Sequence, residues 1–140
     1  MPRPRYRIGI DLGTTNSVLS YVDAESSGGG SRILPIPQWD TPTATAESET
    51  LPSLGYLTTE PERQAGFAGG AEVPEPAGGW IVGRFARAQM ALSPGRVIHS
   101  AKSWLSHEKV DRREAILPWQ SGEVDQGQLV PDGDIHVEVY

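Results

Sequence analysis

The sequence predicts an α/β domain in which a mixed sheet carries few helices and long loops. Apolar and polar residues alternate from Tyr6 to Leu12 with the two-residue period of a strand. Residues 84–92 (RFARAQMAL) are rich in Ala, Met, Gln and Arg, which favour a helix. The 16 glycines and 12 prolines make up a fifth of the 140 residues. Since the average share of these two residues is about 12%, we expect long loops.

Composition limits the class of function. A length of 140 residues is enough for one domain, and a formal net charge of −6 argues against a nucleic-acid surface. The absence of cysteine excludes disulfides, thiolate metal sites and thiol catalysis. No run approaches the roughly 18 consecutive apolar residues of a membrane span, and no apolar core follows the basic start MPRPRYR. We therefore expect a cytoplasmic protein with neither nucleic acid nor membrane as its partner.

The first element is a hairpin over residues 8–23 (IGIDLGTTNSVLSYVD). Its first strand ends at Leu12, the residues GTTN form the turn, and residues 17–23 are expected to return antiparallel. Residues 32–37 (RILPIP) predict a third strand that its prolines place at an edge or end early.

The middle of the chain predicts loops with short strands between them. Residues 41–50 are polar and predict a loop, whereas residues 51–57 (LPSLGYL) predict a strand. Residues 58–79 are rich in Gly and Pro, which indicates a disordered surface insertion. Residues 80–83 (WIVG) then return to a strand, and the helix over residues 84–92 follows.

The last third predicts a second helix and a final strand. Five apolar residues recur at helical spacing: Val97, Ile98, Ala101, Trp104 and Leu105. Lys102 lies beside this apolar face, so its stem can be buried while its ammonium group reaches a neighbouring cleft. Residues 134–140 (DIHVEVY) predict a strand that nothing follows, from which we expect the chain to be a fragment.

The turn of the hairpin has the chemistry of a phosphate site. Gly13 carries no side chain, and successive amides of a tight turn can form a concavity that binds anions. The hydroxyls of Thr14 and Thr15 add donors. Asp11 shares a strand face with Gly9, and its carboxylate suits Mg²⁺, which takes one or two carboxylates beside substrate phosphates. The turn therefore predicts a metal–nucleotide pair, and an ordinary polar hairpin is the alternative.

These residues resemble those of a known family. The hairpin resembles the first phosphate-binding hairpin of the seventy-kilodalton heat-shock chaperones, which belong to the actin-like (ribonuclease H-like) ATPase superfamily. TLPSLGYL resembles their Thr-x-Pro-Ser strand, and ILPW loosely resembles their Trp-Pro-Phe. IVGRFARAQMALSPGRVIHSAKSWLS resembles their Val-Gly, Ala-Lys-x-Gln, Asn-Pro and Lys-Arg-Leu-Ile-Gly series. The order holds over residues 8–119. Asn16 stands where eukaryotic members often carry an aromatic residue, as in bacterial-type members, and Ser103 stands where the family has Arg. The insertion over residues 58–79 and the poor match after residue 119 indicate a divergent member.

The resemblance implies that residues 1–140 are the N-terminal part of an actin-like ATPase domain whose remainder is absent. Asp11 would then lie near Mg²⁺, and Lys102 would reach the γ-phosphate and the attacking water. Four turn residues would contact the phosphates of ATP or ADP: Gly13, Thr14, Thr15 and Asn16. The full-length protein would hydrolyse ATP to control its grip on unfolded or client polypeptides and would work with co-chaperones. This chain alone is expected to be inactive, because the second phosphate loop of the family is missing.

Two alternatives to a chaperone ATPase remain open. A carbohydrate kinase of the same superfamily would share the hairpin. A nucleotide-binding module without hydrolysis would fit the replacement of Arg by Ser103 and the missing second loop.

Overall fold

The computed structural model of the protein describes residues 4–26, 28–68, 73, 76–104, 115–118 and 130–131. Within these residues, strands and three short α-helices give the few-helix α/β class that the sequence predicts. The strands are β1 (Tyr6–Leu12), β2 (Asn16–Asp23), β3 (Arg32–Ile33), β4 (Ile36–Thr41), β5 (Ala44–Ser48), β6 (Leu51–Pro52), β7 (Leu54–Leu57), β8 (Trp80–Val82), β9 (Val97–His99), β10 (Ala115–Leu117) and β11 (Val130–Pro131). The helices are α1 (Glu60–Ala65), α2 (Arg84–Gln89) and α3 (Ala101–Trp104). No helix among the described residues has the length and apolar character needed to cross a membrane.

The strands form four small sheets, and each pairing between described residues is antiparallel. One sheet has the order β1-β2-β3, with β6 also pairing to β2. A second has the order β8-β7-β9, and the remaining pairs are β4 with β5 and β10 with β11. Because β2 has neighbours on both sides, it anchors the hairpin to the rest of the chain.

The hairpin expected over residues 8–23 is present as β1 and β2. Its register runs from Tyr6 opposite Asp23 to Leu12 opposite Ser17. At the turn end of β2, Asn16 pairs with Pro52 of β6, so a strand 36 residues further along the chain borders the turn. The turn is therefore held by a contact distant in sequence as well as by its own ladder.

The polar segment 41–50 is a strand where the sequence predicted a loop. Its residues 44–48 form β5, which pairs with β4 in a register that places Thr45 opposite Trp39. Trp39 is 4% exposed and belongs to the core. The prediction was wrong because a ribbon exposed over much of its surface carries polar side chains, which lack the apolar alternation of a half-buried strand.

The core joins β4, β7, β8, β9 and α2. It consists of Trp39, Tyr56, Ile81, Phe85, Ala86 and Val97. Phe67 packs against it, with its ring centroid 5.3 Å from that of Trp39 and 5.6 Å from that of Phe85, both edge-on. Edge-to-face aromatic pairs of this kind stabilise a fold by about 0.5–1.5 kcal/mol each, beyond the contribution of the area they bury. Phe67, which lies in the segment 58–79 expected to be an insertion, therefore packs against the core.

The segment 58–79, expected to be disordered, contains ordered structure. Thr58 is fully buried and its hydroxyl donates to the carbonyl of Gly79 at 2.7 Å. Thr59 caps α1 in a capping box, in which its side chain accepts from the N–H of Glu62 and the Glu62 carboxylate accepts from the N–H of Thr59. The Thr-x-x-Glu spacing was the available signal for this helix.

The helix predicted over residues 84–92 is present over residues 84–89 as α2, whereas the helical pattern from Val97 onward is divided between two elements. Val97 and Ile98 lie in β9, opposite Tyr56 and Gly55 of β7, and α3 begins only at Ala101. Pairing to β7 buries both residues, so the sheet contact overrides the helical spacing. Residues 105 and 134–140, for which a helix end and a strand were predicted, lie outside the described residues.

A cluster around Glu62 has consequences for pH dependence. The Tyr56 hydroxyl donates to Glu62 Oε2 at 2.8 Å, and the N–H of Thr59 donates to the same oxygen at 2.7 Å. Burial, reinforced by the Glu62 carboxylate, raises the pKa of Tyr56 to about 12. Burial works against a charged Glu62, but hydrogen bonds from Thr59 and Tyr56 and the charge of Arg96 outweigh it and lower the pKa of Glu62.

We expect the chain to lose stability between about pH 10 and pH 12 through Tyr56. Because the pKa of this phenol is raised from 10.0 to about 12, its contribution is complete below pH 10 and lost as the pH rises through 12. Tyr56→Phe should reduce this alkaline loss of stability, measured by melting curves recorded at each pH. Tyr6→Phe, which alters a half-exposed ring, should lose stability as the wild-type chain does. An unchanged loss of stability in Tyr56→Phe would contradict the role of Tyr56.

Candidate functional site

The turn between β1 and β2 depends on a glycine. A Cβ at Gly13 would overlap the carbonyl oxygen of Asn16, so any side chain there must open the turn. The side chains of Thr14 and Thr15 are exposed. Within the described residues, the N–H and hydroxyl groups of these two threonines donate no hydrogen bond to the protein. Donors that the fold leaves exposed and unused are available to an anion.

Ser53, between β6 and β7, ties the turn to the neighbouring sheet. Its hydroxyl donates to the carbonyl of Gly13 at 2.7 Å, and its N–H donates to the carbonyl of Thr15 at 2.9 Å. The carbonyl groups of Gly13 and Thr15 therefore accept hydrogen bonds from within the protein. The segment TLPSLGYL pointed to this region, but the sequence carried no signal for the contact of Ser53 with the turn.

Lys102 lies at the same turn although it is 90 residues from Leu12. Its ammonium group donates to the carbonyl of Leu12, the last residue of β1, and its side chain is exposed. The short helix α3 holds the lysine at this point. The structure therefore brings together Lys102 and the hairpin, two features that the sequence related only through the family resemblance.

A second cation, Arg87, lies at the other side of the turn. Its guanidinium donates to Oδ1 of Asn16 at 2.9 Å from the exposed face of α2. Arg87 was not among the site residues predicted from the sequence. The available signal was the segment ARAQ, which carries a basic residue where the family's Ala-Lys-x-Gln has one. Lys102 and Arg87 thus contact Leu12 and Asn16, the residues on either side of the turn.

Asp11 is exposed on β1 and lies opposite Val18, one residue before Leu12. In the part of the chain that the structure describes, no group of three His, Cys, Asp or Glu residues is arranged to hold a metal. A single carboxylate does not make a protein-only metal site. It does fit Mg²⁺ shared with a nucleotide, since this ion usually takes one or two carboxylates together with phosphate oxygens and water.

Thr14 and Thr15 of the turn are exposed. Among the described residues, a pocket lies at the opposite end of the hairpin, where Tyr6, Tyr21 and Arg32 contribute to its lining. It lies far along the strands from Gly13, since Tyr6 is the first residue of β1 and Gly13 follows the last. Within the described residues, the candidate site is one wall of contacts, made of exposed donors and two cations.

Comparison with known proteins leaves the family open. No protein-family model matches the sequence, and no solved structure matches the fold.

Proposed function

We propose that the β1–β2 turn is the phosphate-binding wall of an ATP-dependent chaperone of the seventy-kilodalton heat-shock type. The chain would be the N-terminal part of an actin-like ATPase domain. The observation that carries this proposal is the contact of the Lys102 ammonium with the carbonyl of Leu12, directly beside Gly13. A cation and unused turn donors at one point are what a polyphosphate requires.

The residues of the turn have separate roles in this proposal. The N–H groups and hydroxyls of Thr14 and Thr15 bind phosphate oxygens, and Gly13 leaves room for the phosphate to approach. Lys102 carries its charge on a flexible four-carbon stem, so its ammonium can pass from the Leu12 carbonyl to a phosphate oxygen. Arg87 holds Asn16 in place and adds positive charge. Positioning and charge neutralisation of this kind supply most of the catalysis in phosphoryl transfer.

Asp11 is the residue that would hold Mg²⁺, which neutralises phosphate charge when it is bound. In the full-length protein, hydrolysis of ATP would control the grip on unfolded or client polypeptides, with co-chaperones as further partners. The neutral Ser103 beside Lys102 favours a second candidate, a module that binds nucleotide without hydrolysing it. Measured ATP turnover by the full-length protein separates the two candidates.

A direct test is a titration of the ¹⁵N-labelled chain with Mg–ATP, followed by NMR. We expect saturable shifts at the amides of Thr14 and Thr15, with a dissociation constant of about 1 mM or weaker, because one open wall encloses little of the ligand. Lys102→Ala should weaken this binding severalfold and leave the melting temperature unchanged, since its side chain is exposed. Arg87→Ala should weaken it less, because Arg87 acts partly through Asn16.

Arg32→Ala is the matched control, because it removes an exposed cation from β3 at the other end of β2. Its titration should match that of the wild-type chain. An absence of shifts at the amides of Thr14 and Thr15, or a Lys102→Ala titration identical to the wild-type one, would contradict the proposed site.

A further inference from the structure

The outer edge of β1 is a second feature of the hairpin that the proposed nucleotide site does not explain. β1 pairs with β2 on one side, and no strand in the described part of the chain pairs with its other side. All seven of its residues are exposed. An edge strand of this kind presents unpaired N–H and carbonyl groups, which form a template for another strand.

The direction of the backbone groups follows from the hydrogen bonds of the hairpin. The N–H of Ala24 donates to the carbonyl of Arg5 at 2.7 Å, so Arg5 directs its carbonyl toward β2. Since successive residues of a strand alternate in direction, Arg7, Gly9 and Asp11 also face β2. The residues that direct their backbone groups outward are Tyr6, Ile8, Ile10 and Leu12. The contact of Lys102 with the Leu12 carbonyl agrees with this assignment.

The side chains of β1 are arranged symmetrically about Gly9. Four large apolar side chains on one face are 47 to 65% exposed: Tyr6, Ile8, Ile10 and Leu12. On the other face, Arg7 and Asp11 stand two residues before and two residues after Gly9. Neither makes an ion pair or a side-chain hydrogen bond with another described residue. The strand thus carries opposite charges at equal distances from its centre.

We propose that the outer edge of β1 pairs antiparallel with β1 of a second copy of this chain, in a register centred on Gly9. Arg7 would then lie opposite Asp11 of the partner subunit, and the two-fold symmetry repeats this pair. Ile8 would lie opposite Ile10 of the partner subunit, and each of these residues directs its backbone groups outward. Opposite charges and apolar side chains in directly facing positions stabilise an antiparallel pair.

The charge pattern selects both the occupant and the register. A shift of two residues in either direction places Arg7 or Asp11 opposite Gly9 of the other copy and breaks this pairing. One such shift would set Arg5 opposite Asp11 of the partner subunit, but Arg5 already donates to Asp23 at 3.3 Å. The Leu12 carbonyl already accepts a hydrogen bond from Lys102. The backbone hydrogen bonds between the two copies therefore come from Ile8 and Ile10. The interface is short, so the dimer is weak, and it requires neither nucleotide nor metal.

Sedimentation equilibrium of the 140-residue chain tests the proposal. We expect a monomer–dimer equilibrium with a dissociation constant of about 10 to 100 µM, as suits a small interface. Arg7→Asp places two like-charged pairs in the interface and should weaken dimerisation about tenfold or more, as should Asp11→Arg. A mixture of the two variants should form a heterodimer at least as tight as the wild-type dimer, because each cross-strand pair again joins opposite charges.

Arg32→Asp is the control, since it changes the net charge as Arg7→Asp does but lies on β3, away from the outer edge of β1. It should dimerise like the wild-type chain, and circular dichroism establishes that each variant is folded. If each charge variant dimerises poorly alone, the mixture of Arg7→Asp and Asp11→Arg shows whether restored charge pairing restores dimerisation. A wild-type chain that stays monomeric over this range, or a mixture no tighter than its components, would overturn the proposal.

Discussion

Gly83→Ala is expected to lower the free energy of unfolding by about 3 to 5 kcal/mol, since it combines backbone strain with overpacking. Gly83 is the N-cap of α2 and has φ of +85°. A residue with a side chain in this region costs about 1–3 kcal/mol. A Cβ there would also overlap Oε1 of Gln38 and lie 2.8 Å from Cδ1 of Leu51. Excess volume at a packed position adds about 1–3 kcal/mol.

Gln38 cannot move away without loss of its own hydrogen bonds. It is 2% exposed, and its Nε2 donates to the carbonyl of Thr50 at 2.9 Å. Its Oε1 accepts from the N–H of Arg84, the first residue of α2, at 3.1 Å. Leaving a buried polar group unpaired costs about 1–3 kcal/mol. Because these hydrogen bonds of Gln38 connect β4 to α2, no side chain can be accommodated at position 83 without breaking them.

Urea unfolding followed by tryptophan fluorescence measures this effect, because Trp39 lies in the core. Gly30→Ala is the matched control, since a Cβ there meets nothing within 4 Å and the φ of Gly30 is not positive. It should change the stability by less than about 0.5 kcal/mol, as surface substitutions do. A loss below about 1 kcal/mol in Gly83→Ala, at an unchanged slope against urea, would contradict the packing described here.

Gly13→Ala is expected to weaken the Mg–ATP response of the turn tenfold or more while the core stays folded. The added methyl group would overlap the carbonyl oxygen of Asn16, so the turn must open and displace the donors of Thr14 and Thr15. A displacement of about 1 Å is enough to disrupt a site that depends on positioned donors. The measurement is the same NMR titration as for Lys102→Ala, with the amide of Tyr56 as the reporter of the core.

Gly9→Ala provides a control in the same strand. A Cβ at Gly9 would lie 3.0 Å from Oγ of Ser20, a hydroxyl that can rotate away, whereas the obstacle at Gly13 is backbone. The control should bind Mg–ATP as the wild-type chain does. Wild-type affinity in Gly13→Ala would show that the geometry of the turn does not matter for phosphate binding, and the proposed site would then be wrong.

Local sequence was informative where an element depends on its own residues. The β1–β2 hairpin follows from strand alternation up to Leu12 and a Gly-Thr-Thr-Asn turn, and α2 follows from its helix formers. The capping box of Thr59 and Glu62 was equally local, and the high content of Gly and Pro in the surrounding segment concealed it. Local patterns work in these cases because backbone propensity and turn chemistry act over a few neighbouring residues.

Strand pairing decided the elements that such patterns misassigned. Val97 and Ile98 have helical spacing with Ala101, but they form a strand because β7 offers an edge for pairing. The polar residues 44–48 form β5 because β4 lies beside them. The partner strand of Val97 and Ile98 is distant in sequence, and residues 44–48 are polar. Neither hydrophobic period nor propensity therefore reveals these two pairings.

The candidate site shows the same division between sequence and structure. The turn and the donors of Thr14 and Thr15 could be predicted from the sequence alone. The contacts of Lys102 with Leu12, of Arg87 with Asn16 and of Ser53 with Gly13 appear only in the folded chain. These partners are 90, 71 and 40 residues apart. Spacing along the chain does not encode distances of this kind, because they depend on how separate segments pack around a common core.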